Sequence, residues 1–271
     1  MRAQVQNIDP VLFLQPFLSV ALSFGCLVYW WRTRGFRAVV LGLSAVAYWA
    51  AIAVKAVVSY ASVGPVTSLY GSPSIQLALL LGMQTVVFEV GFAYALAAYG
   101  TRRWRLKATD AVPLGIGLAL WENGVLLGVF SLLNLAVIFV LLGSGSGLAG
   151  TIYNQLLASA PAYFETPAAL LPSVLLGSLE RLSSMLAHVA WGALCVVAAT
   201  TGRLRYLAFA LPMGLLDSLV PFAPGHIVLF EIVVFALSLL FLAVATLSLS
   251  AERKRPQVLE DRLTNQGEEP T

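Results

Sequence analysis

The chain has 271 residues and a net charge of +3, with 59% hydrophobic residues and only 11% charged ones. A soluble domain carries about 25% charged residues, so this composition, with a mean hydropathy of +0.85, excludes an ordinary soluble fold. It points to an all-α, polytopic transmembrane helix bundle whose partner is the lipid bilayer. No basic domain suited to nucleic acid is present.

Each crossing needs about 20 apolar residues. The first candidate, 11–31, is too long for a signal-peptide core and is expected to stay as a span. The others are 38–63, 74–99, 110–142, 172–200, 205–222 and 226–249, which gives about seven spans in one domain, 1–250. The run 110–142 is long, and Gly124, Gly128 and Asn134 mark it as a kinked span or, as the alternative with eight spans, a hairpin. Cys26 and Cys195 both fall inside apolar runs, which argues against a disulfide.

Basic residues occur in every second connection. Arg32, Arg34 and Arg37 form the first patch, Arg102, Arg103, Arg105 and Lys107 the second, and Arg203 with Arg205 the third. Arg253, Lys254 and Arg255 follow the last span, whereas 64–73, 143–171 and 223–225 contain no Lys or Arg. Cytoplasmic connections collect Lys and Arg, so the expectation is a cell-membrane protein with its N-terminus outside and its C-terminus in the cytoplasm. The Gly/Ser-rich run 143–150 lacks the Gly-Lys-Ser/Thr ending of a phosphate loop and reads as a flexible outer loop. The stretch 151–171 reads as an interfacial or re-entrant flap, and 251–271 as a disordered cytoplasmic tail.

The informative residues are polar ones inside the spans. A charged side chain at the bilayer centre costs at least about 2.5–3.5 kcal/mol, so such residues face protein or trapped water and are functional candidates by default. Arg181, Ser184 and His188 fall on one helical stripe with Glu180 at its shoulder. Glu89, Glu122 and Asp217 lie deep in other spans. Lys55 reads as a neutralising partner for an acid, and Glu231 and His226 as boundary residues.

The order of these groups resembles the YhfC family, within the glutamic-type intramembrane proteases of the PrsW and CAAX-processing superfamily. The segments that carry the resemblance are Phe88-Glu89, Gly115-Ile116-Gly117 with Glu122, Glu180-Arg181 with His188, and Met213 with Asp217. The motifs are degenerate: Val90 stands for a second glutamate, and Leu118 and Met213 stand where the family places histidines. The resemblance implies hydrolysis of a peptide bond in a membrane protein or peptide by a Glu-activated water. In that scheme Glu89 or Glu122 is the base, and His188 and Asp217 polarise the carbonyl. Glu180 and Arg181 support them. With no His-Glu-x-x-His and one deep histidine, no metal or other cofactor is expected. The competing expectation is a non-enzymatic protein: an inactive protease relative that binds transmembrane partners, or a proton- or ion-coupled transporter.

Overall fold

A computed structural model describes residues 6–144 and 147–266, with side chains as far as Glu252. Among the described residues there is no strand, and seven helices are long and apolar enough to cross a membrane. They are α1 (Pro10–Arg34), α2 (Ala38–Tyr70), α3 (Ile75–Trp104), α4 (Ala108–Gly143), α6 (Pro167–Thr201), α7 (Leu204–Phe222) and α8, whose spanning part is Ile227–Glu252. A shorter helix, α5 (Gly147–Ser159), lies between α4 and α6.

Local chemistry sets the ends. The Asp9 carboxylate accepts from the Val11 amide at 2.9 Å with Pro10 opening the first turn, and the Ser74 hydroxyl accepts from the Leu77 amide before α3. Gly35 and Gly202 close α1 and α6 at φ +79° and +69°, a region that glycine enters without steric cost.

The basic patches gather at one end of the bundle. Arg37 at the start of α2 pairs with Asp110 of α4 at 2.9 Å and donates to the Trp104 carbonyl at the end of α3. Arg203, in the α6–α7 turn, pairs with Glu252 of α8 at 2.6 Å. The alternation of charge along the chain is therefore an alternation of ends.

α6 is the centre. In its most apolar window 72% of residues are buried, against at most 44% in any other span. Its small residues let α4 approach closely: a Cβ on Gly115 would lie 2.5 Å from Cα of Val189, and one on Gly192 would lie 2.6 Å from Cα of Gly115. Small-residue contacts of this kind hold helices together where lipid supplies no hydrophobic drive.

Several sequence expectations need adjusting. α4 is a single crossing, the first of the two readings of 110–142, but its long middle is a π-helical segment, Leu120–Val129. Gly124 and Gly128 mark close approach of α1, not a break: Cβ atoms there would meet Ser23 and Val20 at 2.9 and 2.7 Å. Residues 145–146 of the expected outer loop lie outside the described residues, and the stretch read as an interfacial flap packs as a cap. Ile152, Tyr153, Leu156, Tyr163 and Phe164 cover Ile8, Leu135 and Leu142. α6 begins at Pro167 rather than near 172, with Pro172 inside it. The last helix continues through Gln266, where the sequence suggests an irregular tail from 251, while 267–271 lie outside the described residues.

Candidate functional site

The site lies where α2, α3, α4, α6 and α7 meet, about 13 to 17 residues in from the basic ends of these helices, roughly 20–25 Å at about 1.5 Å per residue. Two of its carboxylates come from π-helical turns: Glu89 from Thr85–Val90 of α3, and Glu122 from Leu120–Val129 of α4. Such turns are frequent at functional sites, where the extra residue re-aims side chains and frees backbone carbonyls. One such carbonyl, that of Asn123, is met from α1 by the Ser19 hydroxyl at 2.7 Å. Asp217 lies on an unusually long 3-10 stretch of α7, Leu211–Phe222. That stretch is seated on α3 through Gly214 against Val86 and Gly82 against Ser218, where no Cβ would fit without displacement.

His188 comes from regular α-helix and is 3% exposed. Its Nδ1 lies 2.8 Å from the Ser184 carbonyl, which can only accept, so Nδ1 carries a proton. Nε2 faces inward, 2.9 Å from Oε2 of Glu122 and 3.5 Å from Oε2 of Glu89. Neither carboxylate makes a well-directed hydrogen bond with it. The Trp191 ring, 4.2 Å from the imidazole centroid to centroid, covers one side. Glu122 is held at Oε1 by the Ser184 hydroxyl at 3.1 Å, and Arg181 lies 3.7 Å away. Arg181 also reaches Asn123 and pairs with Glu180. On the far side Lys55 pairs with Glu89 at 2.6 Å and Asp217 at 2.7 Å.

A cavity of about 190 Å³ is lined by Glu89, Glu122, His188, Asp217, Glu180 and Arg181 together with Lys55 and Met213. The structure thus brings all six candidate residues to one space. Glu89, Glu122 and His188 form its tight centre, Asp217 is at the rim with its side chain 38% exposed, and Glu180 is more exposed still. Arg181 also borders a second polar cavity, of about 300 Å³, with Gln15, Ser19, Ser131, Asn134 and Tyr163. Lys55 pairs with acids as its position suggests, whereas Glu231, read as a boundary residue, is 1% exposed. Thr85, Asn123 and Trp191 escape sequence reasoning because a hydroxyl, an amide or an indole in an apolar run carries no distinctive signal.

The centre fits a divalent cation. Among the described residues, Glu89, Glu122 and His188 offer ligand atoms within 4.8 Å of one another. A proton fixed on Nδ1 leaves Nε2 to coordinate, and the Ser184 carbonyl orients the ring as second-shell partners of metal-binding histidines do. One histidine is few for the common zinc sets, and two carboxylates make up the number.

Comparison with known families decides the identity. The family model for the YhfC intramembrane metalloprotease matches residues 18–236. The chain belongs to this family. The match runs from α1 into α8 and takes in every candidate site residue. No curated protein and no solved structure shows a match. Of the three positions at which the sequence resemblance notes a departure, Met213 lines the cavity, Leu118 packs into the core beside Gly192, and Val90 is fully buried.

Proposed function

We propose that this YhfC-family protein is an intramembrane peptidase that hydrolyses a peptide bond of a membrane protein or membrane-inserted peptide. The observation that carries the reading is the convergence of Glu89, Glu122 and the inward-facing Nε2 of His188 on one cavity deep in the bundle. Glu122 is the group best suited to take a proton from water: Ser184 steadies Oε1 while Oε2 faces the cavity beside His188. The water oxygen attacks the scissile carbonyl, the C–N bond breaks, and the proton taken by Glu122 leaves with the amine. With Nε2 protonated as well, His188 lies where it can donate to charge developing on the carbonyl oxygen, and Asp217 borders the space the substrate would enter. In a metal-assisted form Glu122 would instead be a ligand: a divalent cation bound by Glu89, Glu122 and His188 would make the water more acidic and polarise the carbonyl. Arg181 holds Glu122 from behind, and Trp191 narrows the space around His188.

The orientation proposed is N-terminus outside, with the basic ends of the helices in the cytoplasm. Purified protein in lipid vesicles, mixed with a membrane-protein fraction, should produce new fragments. A chelator that stops this cleavage, with restoration by Zn²⁺, supports the metal-assisted form, whereas cleavage indifferent to chelator supports hydrolysis by the side chains alone. No cleavage under either condition contradicts the reading.

A second reading is an inactive relative that binds transmembrane partners. It is favoured by one observation: Lys55 engages both Glu89 and Asp217, two of the acids that line the cavity.

A further inference from the structure

An ammonium group has three N–H donors, and Lys55 has three acceptors: Oε1 of Glu89 at 2.6 Å, Oγ1 of Thr85 at 2.6 Å and Oδ2 of Asp217 at 2.7 Å. The Thr85 hydroxyl, accepting from Lys55, donates in turn to Asp217. Every donor of Lys55 is spent inside this cluster, so none is left to polarise a substrate carbonyl. The ammonium is a tethered cation between two carboxylates.

Glu89 links this cluster to the centre of the site. Its Oε1 is taken by Lys55, while its Oε2 faces Nε2 of His188 at 3.5 Å. A cation held by Glu89, Glu122 and His188 would share one carboxylate with the Lys55 charge and sit close to it. Like charges at such a separation repel strongly in a partly desolvated site, and each also draws electron density from the same carboxylate.

We propose that Lys55 is the resident cation at the Glu89–Asp217 end of the site and sets its affinity for divalent metal, holding Asp217 and one oxygen of Glu89 out of the ligand set. The inference rests on the reading that Glu89, Glu122 and His188 can hold a cation. Lys55 is thereby a specificity-determining residue, contributed by a helix outside the segments that carry the family resemblance. A long lysine between two acids in a membrane is otherwise explained as simple neutralisation. That account predicts a loss of stability on removing the charge but no gain of metal binding.

The test is equilibrium binding of Zn²⁺ alone to purified full-length protein in detergent, with folding checked by gel filtration and melting. Lys55→Met should bind Zn²⁺ at least about tenfold more tightly than wild type, because Glu89 and Asp217 become available together. Lys55→Arg, which keeps the charge, should stay within about threefold of wild type, and adding His188→Ala to Lys55→Met should abolish the gain. If Lys55→Met does not fold, Lys55→Gln, which keeps hydrogen-bond donors without the charge, carries the same expectation. Wild-type binding that is unchanged or weakened by removing Lys55 overturns the inference and leaves the metal reading standing. Absence of binding in every variant overturns both.

Discussion

Nε2 of His188 lies 2.9 Å from Oε2 of Glu122, across the contact between α6 and α4. The contact depends on two features at different levels. The glycines at 115 and 192 let the α4 and α6 backbones touch, and the π-helical segment beginning at Leu120 turns Glu122 toward the imidazole.

Gly115→Val should separate the pair. Its Cβ would fall within 2.6 Å of both Cα and the carbonyl oxygen of Val189, backbone atoms that cannot rotate away. Overpacking typically costs 1–3 kcal/mol, and here about 3 kcal/mol or more is expected. A lower melting temperature in detergent, with activity lost before the fold, is the expected outcome. An unchanged melt would mean the helices are not in contact there.

Arg181→Ala should destabilise the fold by about 3 kcal/mol. The guanidinium is 14% exposed and serves Glu122, Glu180 and Asn123 together, and removing one partner of a buried ion pair costs about 3–5 kcal/mol. The lower figure applies because Glu180 is 42% exposed and can be solvated. Arg181→Lys should recover part of the loss, since it keeps the charge and gives up the planar fork. Thermal unfolding of the three proteins side by side measures it.

The two positions at which the sequence resemblance expects histidine should not respond alike. Met213 lines the cavity, so Met213→His introduces an imidazole beside the existing one and should raise cleavage or metal binding. Leu118 is 3% exposed and packs against the Gly192 contact, so Leu118→His buries a polar ring in the core. A loss of about 1–3 kcal/mol for a polar group without a partner is expected, with no gain in activity. Equal gains from both variants would show that the α4–α6 contact leaves room for a ring.

Orientation is tested by chemistry at the two ends. Cysteine at Ser159, at the end of α5, should react in intact cells with a membrane-impermeant thiol reagent. Cysteine at Arg103, at the basic end of α3, should react only after permeabilisation. Both positions are exposed, so the contrast reports the side of the membrane rather than burial. Reaction at Arg103 alone would invert the topology.

Much of this architecture is legible in the sequence because lipid is a demanding solvent. Apolar runs of the right length must be helices, and Lys and Arg must collect at one end. The same demand made Glu89, Glu122, His188 and Asp217 conspicuous, since each is costly where it stands unless other groups meet it. What stays hidden is geometry with no compositional trace. Nothing in Thr85–Val90 or Leu120–Val129 distinguishes a π turn from an α turn, yet those turns aim both glutamates. Gly124 and Gly128 look like helix breakers until α1 is seen lying against them. Lys55 can be assigned to an acid from composition alone, but its sharing among Glu89, Thr85 and Asp217 depends on α7 docking onto α3.

The central claim is hydrolysis inside the membrane at the Glu122–His188 pair. It is tested most directly by sequencing the N-termini of membrane-protein fragments from cells producing the wild type, Glu122→Gln or His188→Ala at equal levels. Loss of the base or of a group stabilising the carbonyl oxygen each costs about a hundredfold or more in rate. The account predicts new N-termini within or beside apolar segments in wild-type membranes, and their absence in both variants while the variant proteins remain folded. The same set of N-termini in all three membranes would contradict it.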